Sequence, residues 1–269
     1  MAAAATPRFL WLLLFGLLAA CAGGPRELPY QRPTNVAPPP LALDHAWMVV
    51  PNGGGPERAL LEAAGFRFAP TVNRHDGQGT SSITIEFENG YFELISPDDS
   101  VPASGGGELA KARFVSRMNW RTTRDSPFGI GFSRTAATPT PFPFETWGVA
   151  ASWMSAGSTM EILSPRGSPT VTLFVTPQPV DAAANRATIA AGGAAAEPFL
   201  HPNGARRLTG VQVSAPTRAG LPPSSTFVNL SGAAQLLVGT EWLMELELDH
   251  GGQNQSVDLR PRMPLVIRY

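Results

Sequence analysis

Residues 43–97 carry the feature that most restricts the fold, which is a repeated alternation of apolar and polar side chains. Successive side chains of a strand point to opposite sides of a sheet, so a period of two predicts strands with one buried and one accessible face. Four runs have this pattern: 43–51, 66–72, 80–88 and 91–97. Asn89-Gly90, between the last two runs, is typical of a tight hairpin turn. The last two strands are therefore expected to be antiparallel neighbours.

One helix is predicted between the first and second runs, over residues 57–64. Pro56 suits the first position of a helix, and Gly65 suits its end. Leu60, Leu61 and Ala64 would form its buried stripe. The order is then strand, helix and three strands, which is a βαβββ unit.

The accessible face of this unit is predicted to be polar. Alternation places six side chains there: His45, Trp47, Thr84, Glu86, Tyr91 and Glu93. A polar face on a sheet that is covered on its other side is typical of a binding cup. Imidazole and carboxylate groups together bind divalent first-row metals, so His45 and Glu93 predict half of a metal site.

Three stretches of the sequence resemble the vicinal-oxygen-chelate superfamily in its glyoxalase-like branch. They are LDHAWMVVP at 43–51, GQGTSSITIEFENGYFELISP at 77–97, and HPNGARRLTGVQVSAP at 201–216. The resemblance implies an α+β fold in which paired βαβββ modules form a cup-shaped mixed sheet. Module one would be 42–98 and module two 197–269, with an intervening segment, 99–196.

The resemblance also implies roles for individual residues. His45 and Glu93 match the metal-ligand positions of module one, and the metal would be Zn, Mn, Fe, Co or Ni. In module two, Leu208-Thr209-Gly210 matches Leu43-Asp44-His45, so Gly210 stands where a third ligand would be. Glu245 matches the fourth ligand position, and either Glu245 or Glu86 would act as the catalytic base. The remaining ligand-binding candidates are Trp47, Tyr91, His75, Thr84 and Gln212.

Two functions stay open at this point. One is a metal-dependent lyase, isomerase or dioxygenase that acts on a small oxygen-chelating substrate. The other is a metal-free protein that binds a small molecule at the cell envelope, which the glycine at position 210 favours. A weaker third alternative is a scaffold protein whose cup is filled by its own side chains.

The intervening segment contains one predicted helix, 108–121. MEILSP at 160–165 echoes FELISP at 92–97, which indicates either an additional equivalent of the fourth strand or a chance similarity. Trp147 and Trp153 could line the pocket or belong to a core.

The first residues have the features of a lipoprotein signal. Residues 9–18 are apolar and follow Arg8, and they have the length of a signal-peptide core. Leu18-Ala19-Ala20-Cys21 resembles the bacterial lipobox, and Cys21 is the only cysteine. The interpretation is a signal peptide at 1–20, a lipidated Cys21 with a Pro-rich tether to 41, and a folded domain from 42 to 269. Ala22 favours the outer membrane, facing the periplasm.

The formal net charge is −1, and no basic stretch is present. The chain therefore has no electrostatic signature of nucleic-acid binding. The expected partners are a small-molecule ligand or substrate, the membrane through Cys21, and a second copy of the chain in a homodimer.

Overall fold

Two sheets account for most of the regular structure in this computed structural model, which describes residues 39–136 and 141–269. The strands are β1 (Leu41–Val49), β2 (Asn73–His75), β3 (Thr80–Phe87), β4 (Gly90–Pro97), β5 (Phe128–Arg134), β6 (Trp147–Val149), β7 (Met160–Ile162), β8 (Thr172–Val175), β9 (Leu208–Ala215), β10 (Gln235–Val238), β11 (Leu243–Leu248), β12 (Ser256–Asp258) and β13 (Leu265–Arg268). The helices are α1 (Gly55–Ala63), α2 (Gly106–Met118), α3 (Trp120–Thr123), α4 (Ala182–Ala191) and α5 (Ser225–Ser231). All these elements belong to one compact unit.

The predicted signal peptide and Cys21 lie outside the described residues. Within 39–136 and 141–269, no helix is long and apolar enough to cross a membrane.

The first sheet has eight strands in the order β2-β3-β4-β1-β5-β8-β7-β6 and is strongly curled. β1 is parallel to β4, and β5 is parallel to β8. The two halves meet where β1 pairs with β5 in antiparallel fashion. The predicted α+β fold with paired modules in a mixed, cup-shaped sheet is therefore confirmed. The second half of this sheet comes from residues 128–175, within the segment that the sequence interpretation placed between the modules.

The second strand of the first half differs from its prediction. The predicted helix is confirmed as α1, but residues 66–72 form no strand, and β2 begins only at Asn73. Phe66 and Phe68 are buried, and the backbone N–H of Ala69 donates a hydrogen bond to Thr84. Pro70 has no N–H to continue a ladder, so this segment stays extended without pairing regularly.

The intervening segment contains the predicted helix as α2, which ends at Met118 and is followed by the short α3. The MEILSP echo falls on β7, which lies between β6 and β8 in the sheet. The strand parallel to β5, in the position that β4 has beside β1, is β8. The echo therefore does not mark an equivalent of the fourth strand.

The second sheet has the order β10-β9-β11-β13-β12. β9 is parallel to β10, β11 is parallel to β13, and β9 pairs with β11 in antiparallel fashion. The five central strands of the first sheet, β4-β1-β5-β8-β7, have the same pattern. Both sheets also contain one extra residue at a matching place, Asp44 in β1 and Thr209 in β9. The similarity between 208–210 and 43–45 is thus reproduced in structure, but in a separate sheet.

The apolar face of the second sheet packs against one face of the first. Their shared core includes Met48 and Ile130 from the first sheet and Val213 and Met244 from the second. The opposite face of the first sheet, which carries His45 and is called the cup below, is turned away from this core. Part of the cup is covered by α2: Phe114 and Met118 pack on a cluster of Trp47, Val49, Ile95, Ile162 and Phe174.

Candidate functional site

The part of the cup that α2 does not cover is polar, and its His45, Thr84 and Glu93 side chains are buried. Strand register places His45 beside Tyr91, Glu93 beside Thr84, and Glu86 beside Tyr91. These residues come from β1, β3 and β4, and all their side chains point to the cup face. The structure therefore brings together five of the residues that the alternation predicted.

Glycines in β5 create the space for the largest cup side chains. A Cβ atom at Gly131 would lie 2.6 Å from Cε1 of His45, and one at Gly129 would lie 2.1 Å from the ring of Trp47. The His45 ring instead lies over β5, stacked on Tyr91 with centroids 4.2 Å apart and planes 11° apart. Phe174 meets the same imidazole edge-on at 5.2 Å. The alternating FGIGF sequence at 128–132 was a signal that the sequence interpretation did not use.

Asp44 was also missed by the sequence interpretation. Its Oδ1 atom lies 2.6 Å from Nδ1 of His45, and both residues are buried. Its Oδ2 atom accepts a hydrogen bond of 2.8 Å from the backbone N–H of Val180. A regular strand would place neighbouring side chains on opposite faces, so alternation alone could not predict this pair.

His75 and Glu93 form a second contact in the cup. Nε2 of His75 lies 3.7 Å from Oε1 of Glu93, and Nδ1 of His75 lies 2.8 Å from Oγ1 of Thr80. The Trp153 ring lies 5.2 Å from the His75 ring. His75 is in β2, and the pairing of β2 with β3 brings it close to Glu93.

The connection between β6 and β7 reaches this side of the cup. Ser152 donates a hydrogen bond of 2.8 Å to the backbone carbonyl of Asp76, and Gln178 donates one to Ser155. Trp153, between these two attachments, is partly exposed. The connection thus bridges the β2–β3 turn and the residues that follow β8.

The surroundings of Glu86 favour its protonated form. Burial raises the pKa of Glu86, a hydrogen bond from Thr84 lowers it, the charge of Glu93 raises it, and His45 lowers it, with a net increase. Burial, followed by the carboxylates of Glu93, Asp44 and Glu86, raises the pKa of Tyr91 well above its usual value. Tyr91 is therefore a neutral phenol near pH 7.

His201 supports β3 from outside the cup. Its Nδ1 atom accepts a hydrogen bond from the backbone N–H of Arg67 at 3.1 Å, so the proton of the neutral ring is on Nε2. Nε2 then donates to the backbone carbonyl of Glu86 at 2.9 Å. Burial lowers the pKa of His201 to about 4, more than the bond to Glu86 raises it.

The cup does not contain a ready-made metal site. In 39–136 and 141–269, no three His, Cys, Asp or Glu side chains converge as ligands for one ion. One nitrogen of His45 is already directed to Asp44, and Glu93 lies against His75. The donor types suit a divalent metal, but the described residues show no clear set of ligands for one. The assignment of His45 and Glu93 as metal ligands stays a prediction.

Glu245 and Gln212 lie elsewhere. They pair with each other on the second sheet, where their side chains are 3.5 Å apart, and Glu245 forms an ion pair of 2.5 Å with Arg268. Their neighbours Val213 and Met244 point into the core between the sheets. Glu245 and Gln212 therefore occupy the outer face of the second sheet. The structure does not bring them together with His45.

The match to one protein family agrees with this architecture. Residues 43–221 match the family described as the glyoxalase-like domain. A crystal structure of a hypothetical protein from Staphylococcus aureus is similar with a TM-score of 0.46 and 9% identity, covering 85% of this chain and 98% of that chain. No protein of curated function matches the sequence. Since the family match spans more than half of the residues, the chain belongs to the glyoxalase-like domain family, part of the vicinal-oxygen-chelate superfamily.

Proposed function

We propose that the cup binds a small organic molecule with a carbonyl group and moves a proton on it, with His45 as the base and Glu86 as the acid. The observation that carries this proposal is the placement of His45, Glu86 and Glu93 on one sheltered, aromatic-walled face. Glyoxalase-like domains bind small-molecule substrates, which supports the choice of the cup as the site. Groups that exchange protons and meet in a concavity are typical of catalytic sites.

The chemistry is an enolisation. Nε2 of His45 takes a proton from the carbon beside the carbonyl, and the electron pair of that C–H bond forms the enol double bond. Glu86, whose raised pKa favours the protonated form, gives its proton to the carbonyl oxygen as negative charge develops there. In a 2-hydroxyketone, Glu86 then takes the proton of the adjacent hydroxyl and His45 returns its proton to the former carbonyl carbon, which completes an isomerisation. Loss of a leaving group instead completes a lyase reaction.

Charge restricts the ligand class. Burial and the carboxylates of Glu93, Asp44 and Glu86 all raise the pKa of Tyr91, so a further negative charge beside its phenol would be unfavourable. Neutral carbonyl compounds are therefore favoured over carboxylates of similar size. The ring of Tyr91 and the partly exposed Trp153 offer flat apolar surfaces for such a ligand.

Hydrogen–deuterium exchange tests this function. Hydroxyacetone in D₂O is incubated with the protein, and loss of its C–H signals is followed by proton NMR. Wild type is expected to accelerate the exchange, and His45→Gln and Glu86→Gln are each expected to slow it at least about 100-fold. His250→Gln is the matched control, because that histidine is exposed on the turn after β11. Equal rates for wild type and His45→Gln would contradict the proposal.

A metal-dependent lyase, isomerase or dioxygenase is the second candidate. It is favoured by the register of β1 and β4, which places the side chains of His45 and Glu93 on the same face of neighbouring strands. Elemental analysis for Zn, Mn, Fe, Co and Ni, with thermal melting in the presence of each ion, tests this candidate. One equivalent of metal and a raised melting temperature that His45→Gln abolishes would support it. Less than about a tenth of an equivalent with unchanged melting would reject it.

The location of the protein is part of the same proposal and rests on the sequence of the N-terminal segment. Diacylation of Cys21 would hold the domain at the periplasmic face of the outer membrane. Mass spectrometry of the mature protein is expected to find acylated Cys21 as the first residue. An unmodified cysteine would reject the anchor. Sedimentation analysis decides whether a second copy binds as a homodimer.

A further inference from the structure

The contact between Asp44 and His45 depends on a local break in the sheet. Register between β1 and β5 shifts between Leu43 and His45, so Asp44 is the extra residue of a β-bulge. A bulge changes the direction of the side chains next to it. Asp44 and His45, which are 3% and 5% exposed, can therefore place their polar groups 2.6 Å apart although they are consecutive.

The glycine of the β3–β4 hairpin accommodates this bulge. A Cβ atom at Gly90 would lie 2.4 Å from the backbone carbonyl oxygen of Asp44. The preceding Asn89 is itself fixed, because its side chain bonds to the backbone N–H and carbonyl of Leu208 at 3.0 and 2.8 Å. The Asn89-Gly90 turn is thus packed against the bulge as well as closing a hairpin.

The carboxylate of Asp44 has a partner at each oxygen. Oδ2 accepts from Val180, in the segment between β8 and α4, and Oδ1 faces the imidazole. A carboxylate oxygen accepts hydrogen bonds, so this contact places a proton on Nδ1 of His45, and in the neutral ring that is its single N–H proton. Nε2 then has the free electron pair. The stack on Tyr91 and the close approach to Gly131 fix the plane of the ring.

We propose that Asp44 is a positioning residue that holds His45 in the tautomer with its proton on Nδ1 and its electron pair on Nε2, available to a ligand in the cup. The tautomer follows from the folded protein alone. Only the use of Nε2 as a base rests on the proposed function. A carboxylate that orients a histidine in this way also stabilises the imidazolium that forms when the base takes a proton.

Nitrogen NMR of the full folded domain measures the tautomer directly. In protein labelled with ¹⁵N-histidine, His45 of wild type is expected to show a protonated Nδ1 and an unprotonated Nε2. Asp44→Asn can offer an amide N–H to Nδ1, so the proton is expected to move to Nε2. Asp181→Asn is the matched control, because this carboxylate follows Val180 and caps α4 through Ala183 and Ala184 without touching His45.

A predominant Nε2–H tautomer in wild type would overturn the proposal, and this measurement requires no variant to fold. An unchanged tautomer in folded Asp44→Asn would overturn it as well. In the exchange assay, Asp44→Asn is expected to lower the rate of hydroxyacetone exchange at least about tenfold with little change in its half-saturating concentration. If the tautomer is as proposed but wild type does not accelerate exchange, the proposed function fails and the positioning role stands.

Discussion

Single residues in this protein are constrained by contacts that join distant parts of the chain. His201 connects the segment before β9 to β3 through its bond to the carbonyl of Glu86. Nδ1 of the same ring accepts a hydrogen bond from the backbone N–H of Arg67. The bond from Arg67 requires an unprotonated Nδ1, so this attachment of His201 depends on pH.

The free energy of unfolding is expected to fall as pH falls. The pKa of His201 is lowered from 6.5 to about 4 in the folded protein, chiefly by burial. Between these values the unfolded chain binds the proton and the folded chain does not. The contribution of His201 to the free energy of unfolding is fully present above pH 6.5 and decreases by about 3 kcal/mol as pH falls through 4.

Urea unfolding at a series of pH values measures this effect. His201→Gln removes the titrating group, so its unfolding free energy is expected to vary less between pH 6.5 and 4 than that of wild type. The comparison concerns the slopes with pH, not the absolute stabilities. Parallel curves for the two proteins would contradict the assignment.

Strand β5 shows how one element shapes the site. Its glycines face the cup while Phe128, Ile130 and Phe132 are fully buried on the other side. Gly131→Ala is expected to displace the His45 ring from Tyr91, and Gly129→Ala to collide with Trp47. Each change should lower stability by about 1–3 kcal/mol.

Thermal melting and the exchange assay check this prediction. Gly131→Ala is also expected to slow hydroxyacetone exchange, because the base would be misplaced. Gly55→Ala in α1 is the matched control, since a Cβ there meets nothing within 4 Å. A wild-type melting temperature for both β5 variants would show that the rings do not need this space.

Strands whose apolar and polar residues alternate strictly could be predicted from the sequence. Elements that depend on tertiary contacts could not. β1, β3, β4 and α1 follow from local patterns, and so does the shared facing of His45, Thr84, Glu86, Tyr91 and Glu93. β2 is short and polar and exists because it pairs with β3. The role of Asp44 arises from a bulge, which no alternation rule contains.

In the whole molecule, the second sheet covers the apolar face of the first sheet and shields it from water. The sequence that begins at Leu208 resembles the one that begins at Leu43 in module one, and this resemblance predicted a strand at Leu208. It did not predict that residues 128–175 would complete the cup, because the strands there are short and separated by long connections. Glu245 was therefore assigned to the cup from sequence, although it lies on the other sheet.

Neighbouring positions in β9 test this packing. Val213 is fully buried between the sheets, and Gln212 lies on the outer face. Val213→Asn is expected to lower the free energy of unfolding by about 3 kcal/mol or more, because a buried amide would lack partners. Gln212→Asn is expected to change it by less than about 1 kcal/mol. Equal effects in urea unfolding would contradict the arrangement of the sheets.

Proton transfer by His45 and Glu86 without a metal is tested most directly by the rate of hydroxyacetone deuteration after metals have been removed from the protein with a chelator. Wild type treated in this way is expected to retain its acceleration, and His45→Gln, prepared in the same way, is expected to lose at least about 100-fold of it. Loss of the acceleration on metal removal, with recovery on adding one divalent ion, would contradict a site that works through His45 and Glu86 alone.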